Sequence, residues 1–196
     1  MSFKAILIFG PPGVGKGTQA KLLKSSNENF YHFSTGEMFR NLKNDQKLKD
    51  SEIGKTINSL ISQGNFVPDD LTIQLFFQTL ENLQAKQQIQ DKILILDGIP
   101  RNSNQVDLIK NKIQVIKIIN LIVPNDEVLI NRIKSRAIIE NRQDDTSEET
   151  IKKRLEIYKK ETQEVLNKYP KNIILNIDGT PEIEKIHQVI LSSLTV

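Results

Sequence analysis

Five short runs of apolar residues, Lys4–Phe9, Tyr31–Phe33, Ile93–Leu96, Ile116–Val123 and Asn172–Ile177, punctuate the chain, and the stretches between them repeat apolar residues at helical spacing. The runs are nearly continuous in apolar residues and do not alternate with polar ones. That pattern suits parallel strands covered on both faces, with helices as the crossovers. The expected architecture is α/β in three layers, helices on both sides of a five-stranded parallel sheet. The clearest helix precedes Pro170: Thr146 caps it with Glu149 three residues on, and Ile151, Leu155, Tyr158, Thr162 and Val165 share one face. Another opens at Pro68-Asp69-Asp70 and turns Leu71, Leu75, Leu80 and Leu83 inward. Neither a repeat nor a long linker breaks the pattern, so one domain over residues 1–196 is expected.

The first apolar run leads straight into Gly10-Pro-Pro-Gly-Val-Gly-Lys-Gly-Thr-Gln19, and a helical pattern follows. Strand, glycine turn and helix in this order form a phosphate-binding loop. Gly10, Gly13, Gly15 and Gly17 let the backbone turn tightly around Val14 and into Thr18 and aim several N–H groups at an anion, where the helix also places its positive end. Lys16 adds a mobile charge for the outer phosphates. The hydroxyl of the G-x-x-x-x-G-K-[ST] signature comes one residue late, at Thr18, because Gly17 follows the lysine. Farther on, Asp97 ends the apolar run Ile93–Leu96 and precedes Gly98, which places a carboxylate at the sheet edge where open α/β folds bind ligands. Beside a phosphate loop, Asp97 is expected to hold Mg²⁺ through water, since magnesium dehydrates reluctantly.

Composition narrows the partners. With 27 basic and 24 acidic residues the net charge is only +3, so no broad nucleic-acid-binding surface is implied and any strong positive field must be local. The chain lacks cysteine, which excludes disulfides and thiolate zinc sites, and only His32 and His187 offer imidazole. His32 is expected to pack in the core or at its edge, and His187 to lie on a solvated helix face. The run Phe3–Phe9 is too short for a signal peptide or a membrane span, so cytoplasmic residence with no membrane partner is expected; a monomer is expected as well. Arg40, Arg101, Arg132, Arg136, Arg142 and Arg154 fall near loops and helix ends, and guanidinium forks match the charge that phosphoryl transfer spreads over equatorial oxygens.

The segments GPPGVGKGTQ, FSTGEMFR (33–40), QGNFVPD (63–69), DGIPRNSNQ (97–105), the pair Arg132 and Arg136, NRQDD (141–145) and KKRLEIY (152–158) resemble, in order, the motifs of adenylate kinases within the nucleoside-monophosphate kinases. The resemblance implies transfer of the γ-phosphoryl of MgATP to AMP. ATP would be held by residues 13–18, Arg132, Arg136 and the loop at Pro181. The AMP site would comprise Thr35, Arg40, Asn65, Phe66, Val67, Gly98, Ile99, Pro100, Arg101 and Gln105, with Arg142 and Arg154 reaching both phosphates. Residues 34–67 resemble the acceptor lobe and 136–145 a short lid, tethered when closed by Asp144 and Asp145. Two departures stand out. Ile99 replaces the usual aromatic, and Ala137 with Glu140-Asn141 replaces glycine-containing turns. The nearest rival is a UMP/CMP kinase, in which Thr35 and Gln105 would typically be Ala and Asn.

Overall fold

The computed structural model describes residues 2–44, 52–63, 65, 67–139 and 147–194. Five parallel strands, β1 (Phe3–Phe9), β2 (Phe30–Ser34), β3 (Ile93–Asp97), β4 (Ile113–Ile122) and β5 (Ile174–Asp178), form one sheet in the order β2-β3-β1-β4-β5. β4 begins three residues earlier than its apolar run suggests. β5 begins two residues later, because Lys171–Ile173 forms a 3-10 turn first. The chain leaves β1 toward one edge and later crosses to the other, so a crevice opens at the carboxyl ends of β1 and β3, which are adjacent. Ile8 pairs there with Asp97, and Ser34 of β2 pairs with Asp97 from the other side. The glycine loop and Asp97 therefore meet.

Both sheet faces are sealed, as continuous apolar strands require. On one side Ala5, Leu7 and Phe9 pack with Phe33, Phe76, Leu80, Leu94 and Leu96; on the other Ile6 and Ile8 pack with Leu23, Ile95, Leu129, Ile133, Ile151 and Leu155. The helices covering them are α1 (Lys16–Ser26), α2 (Thr35–Asn44), α3 (Glu52–Ser62), α4 (Asp69–Ala85), α5 (Ser103–Ile109), α6 (Asp126–Ile139), α7 (Glu148–Ile157) and α8 (Ile183–Leu194).

Three local expectations are corrected. In α4 the buried face is Thr72, Ile73, Phe76 and Leu80, while Leu71, Leu75 and Leu83 only flank it. Thr72 can face inward because its hydroxyl donates to the Val67 carbonyl at 3.2 Å, which removes the penalty on a buried hydroxyl. The cap of α7 is Ser147, whose side chain accepts from the Thr150 N–H; Thr146 lies outside the described residues. Finally, the helix before Pro170 is not uniform: after α7 comes a π turn over Tyr158–Thr162, then a 3-10 segment over Gln163–Lys168. Ile151, Leu155, Thr162 and Val165 nevertheless stay buried, and the wide turn brings Tyr158 and Thr162 to the crevice.

Candidate active site

The crevice is a cleft of about 1160 Å³ running from the glycine loop across the sheet edge to α2 on one side and to α6, α7 and the loop before α8 on the other. A single small-molecule site needs ~300–1,000 Å³, so the cleft exceeds one ligand of ordinary size. Seven lysines and arginines (Lys16, Lys21, Arg40, Arg101, Arg132, Arg136, Arg154) line it against four carboxylates (Glu37, Asp97, Glu182, Glu184). A chain of small net charge thus concentrates its positive field in one concavity, which selects polyanions.

Backbone conformation builds the cradle. Gly15, the residue before α1, has φ 103°, and a Cβ there would meet nothing within 4 Å, so glycine is needed for the left-handed turn and not for space. At Gly98, φ 87°, both reasons apply: a Cβ would lie 2.4 Å from Thr35 Oγ1 and 3.1 Å from Arg101 Nη2. Lys16 Nζ donates to the carbonyls of Gly10 at 2.8 Å and Pro11 at 3.0 Å, which folds the ammonium over its own loop. Arg132 donates to the carbonyls of Gly179 at 2.8 Å and Thr180 at 3.2 Å, and Gln19 Nε2 to that of Ile183 at 2.9 Å. These bonds seat the loop carrying Pro181 on the far wall.

Residues distant in sequence act on one another electrostatically at the centre. Burial lowers Lys16 to about 8; Asp97 opposes that shift, while Arg101, Arg136 and Arg154 add to it. Burial, with Arg154 nearby, lowers Arg101 to about 10, which leaves it fully charged at neutral pH. Burial alone would raise the Asp97 carboxyl. The contact with His32, whose Nε2 lies 3.8 Å from Asp97 Oδ2, and the charges of Lys16 and Arg101 outweigh that, so the carboxyl stays below its ordinary range. His32 is a packed edge histidine, as expected. His187 is half-buried on α8, more enclosed than a solvated face, and burial lowers its pKa.

The donor set at Asp97 fits magnesium bound chiefly by a nucleotide. No group of three or more His, Asp or Glu among the described residues could cage a metal. One ionised carboxylate does face the phosphate loop, its Oδ2 3.4 Å from where a Cβ on Gly17 would sit. Magnesium typically takes one or two carboxylates, phosphate oxygens and waters.

Lys16 provides a pH test. Phosphate favours the ammonium, so nucleotide binding should raise a pKa that stands at about 8 in the free protein. Below that pH the lysine is already charged and binding takes up little; above it, binding must draw in a proton. ATP affinity is expected to fall as pH rises past about 8, by up to ~10-fold per unit. Calorimetry in two buffers of different ionisation enthalpy should show proton uptake growing over that range. Absence of any linkage would place Lys16 away from the phosphates.

Residues 8–174 match the family model described as adenylate kinase. The chain belongs to the adenylate kinase family. It is similar to the adenylate kinase of Clavibacter michiganensis subsp. michiganensis, 35% identical over 96% of this chain and 92% of that protein. It also resembles those of Prochlorococcus marinus strain MIT 9515, 39% identical over 90% and 91%, and Mycoplasmopsis pulmonis, 34% identical over 93% and 94%.

Against the pattern expected of an adenylate kinase, the structure brings Gly13 to Thr18, Arg40, Asp97, Gly98, Pro100, Arg101, Arg132, Arg136, Arg154 and Pro181 to the cleft. Others are not part of the cleft lining. Thr35 is buried, with Oγ1 donating to the Gly98 carbonyl at 3.0 Å; Gln105 is buried against Asp69 and the Arg101 backbone; Ile99 is a core residue. Val67 is buried and its carbonyl takes the Thr72 hydroxyl, while Asn65 Nδ2 donates to Gln63 Oε1. Phe66, Arg142, Asp144 and Asp145 lie outside the described residues. Missed from sequence were Glu37, Lys21, Tyr158 and Thr162, all of which line the cleft. Glu37 and Lys21 carried a signal, since Glu37 lies within FSTGEMFR and Lys21 follows the glycine-loop segment by two residues; Tyr158 closes KKRLEIY, but it and Thr162 reach the cleft through the π turn.

Proposed function

We infer that the protein is an ATP:AMP phosphotransferase that moves the γ-phosphoryl of MgATP to AMP, giving two ADP. The observation that carries the reading is the convergence of Lys16, Asp97, Arg101, Arg136 and Arg154, from five separate elements or loops, on one cleft large enough for two nucleotides. An AMP phosphate oxygen attacks the γ-phosphorus in line, the bond to the β,γ-bridging oxygen breaks, and the negative charge moves onto the departing ADP. The acceptor phosphate is already an anion, so no proton need be removed and no covalent nucleophile is required. Catalysis then rests on positioning and on cations placed where charge develops. Lys16 and the residue 13–18 backbone would hold the donor phosphates, Arg132 and Pro181 the donor base side, and Arg40 and Arg101 the acceptor phosphate. Arg136 would add to the donor side, and Arg142 and Arg154 would span both. Magnesium, held through water by Asp97, would supply further charge neutralisation on the donor phosphates.

Residues 34–67 would serve as the acceptor lobe and 136–145 as a short lid. In support, α2 presents Gly36, Glu37 and Arg40 to the cleft, and α6 presents Arg132 and Arg136. No helix among the described residues is long and apolar enough to cross a membrane, and a cytoplasmic monomer belongs to the same reading. A coupled ADP-forming assay with MgATP and AMP, UMP, CMP, GMP or dAMP tests it. AMP should exceed UMP and CMP in kcat/KM by well over ~10-fold, the scale set by one or two unpaired polar groups. Chelation of magnesium should abolish turnover and leave the thermal midpoint of the nucleotide-free protein in place. Preference for UMP or CMP would overturn the adenylate assignment, and no ADP from any acceptor would overturn the reaction.

A further inference from the structure

Behind the cleft wall one carboxylate gathers three amide side chains. Asp69 is the first residue of α4; its Oδ1 accepts from Gln105 Nε2 at 2.7 Å and Asn102 Nδ2 at 2.9 Å, and its Oδ2 from Asn104 Nδ2 at 2.8 Å and Asn102 Nδ2 at 3.1 Å. All three amides sit at the start of α5, immediately after Arg101. Asn102 Oδ1 accepts from the Gln105 N–H at 2.9 Å and so caps that helix. Gln105 Oε1 accepts from the Arg101 N–H at 2.8 Å. The side chain of Arg101 then donates from Nε to the Gly98 carbonyl at 2.9 Å and lines the cleft.

The relay has a direction. An ionised carboxylate only accepts hydrogen bonds, so it holds the nitrogen end of the Gln105 amide and leaves the oxygen end for the Arg101 N–H. With the amide reversed, its oxygen would face the carboxylate and its NH₂ would face the Arg101 N–H, donor against donor. Gln105 is 2% exposed, so water cannot compensate such a mismatch. We propose that Asp69 is a positioning residue for the reaction: through Gln105 it fixes the backbone at Arg101 and hence the place of the guanidinium in the cleft. This rests on the reading of Arg101 as a phosphate ligand. It also ties the start of α4, two residues after Val67, to the loop that carries Arg101.

Asp69→Asn keeps the shape, but it replaces one accepting oxygen with an NH₂ turned toward donors. We expect kcat/KM for AMP to fall by at least ~10-fold, mostly through KM for AMP, while KM for ATP moves by less than ~2-fold. The deciding measurement is a double-mutant cycle with Arg101→Ala, which by itself should cost ~10²-fold or more. In the Arg101→Ala background, Asp69→Asn should cost less than ~2-fold further, because the group it positions is gone. Asp69→Ala removes the accepting carboxylate altogether and should give the same loss with the same non-additivity, which keeps the test available if Asp69→Asn does not fold. Equal losses in both backgrounds, or a lower thermal midpoint with unchanged KM for AMP, would overturn the positioning role. Arg101→Ala with near-normal activity would instead remove the reading on which the role depends.

Discussion

Lys16→Met is expected to lower kcat by at least ~10²-fold, about 2.7 kcal/mol of transition-state stabilisation, while the protein stays folded. The ammonium reaches the carbonyls of Gly10 and Pro11 at the mouth of the loop, where an outer phosphate would replace them as partner. Methionine fills the same volume without the charge. Losing two hydrogen bonds costs stability, but burial and three neighbouring arginines already disfavour the charge, as its lowering to about 8 records. The two effects oppose each other, so the thermal midpoint should shift by less than ~4 °C, the change that about 1 kcal/mol produces in a chain of this size. Near-normal turnover in this variant, measured by coupled assay, would remove Lys16 from the reaction. A collapse in thermal midpoint would show instead that the lysine chiefly holds the loop together.

A dinucleoside pentaphosphate with adenosine at both ends should bind at least ~10²-fold more tightly than ATP or AMP. One molecule loses its translational and rotational freedom once while engaging both halves of the cleft. The cleft volume of about 1160 Å³ and its seven cations can take a ligand of that size and charge. Charge alone would produce some gain, so an adenosine pentaphosphate with a single base is the control. Calorimetry should rank the two-base compound far above it. Equal affinity would mean that the cleft offers one base site and a long anion track.

The sequence made the donor half of the site legible because that half is local. Strand, glycine turn, Lys16 and helix follow one another within a few residues, and each is recognisable by turn chemistry and periodicity alone. The inner strands β3, β1 and β4 were legible for a similar reason, since burial on both faces leaves continuous apolar runs, whereas the edge strands β2 and β5 are only partly buried and leave weaker ones. Periodicity failed where a polar group solved its own desolvation. It chose Leu71 and Leu75 as the inner face of α4, whereas Thr72 faces inward on the strength of a hydrogen bond to Val67. The π turn at Tyr158–Thr162 was invisible for a related reason: one extra residue per turn leaves the apolar spacing almost unchanged over so short a span.

What only the tertiary structure decided is which charged groups act on one another. Spacing along the chain says nothing about whether Asp97, Arg101, Arg136 and Arg154 surround Lys16; that follows from the strand order β2-β3-β1-β4-β5, which sets β3 beside β1 and turns α6 and α7 over the same edge. The lowering of Lys16 is a property of that arrangement and of burial. The hydrogen bonds of Gln105 depend on the fold in the same way. As a residue in a motif it reads as a side chain for a base, but in the folded protein both ends of its amide are engaged, one by Asp69, 36 positions away, and the other by the Arg101 backbone. Turn chemistry, capping and periodicity act over a few residues and can be read in order. Electrostatic coupling and amide orientation depend on distance in space, which the crossovers of the sheet determine.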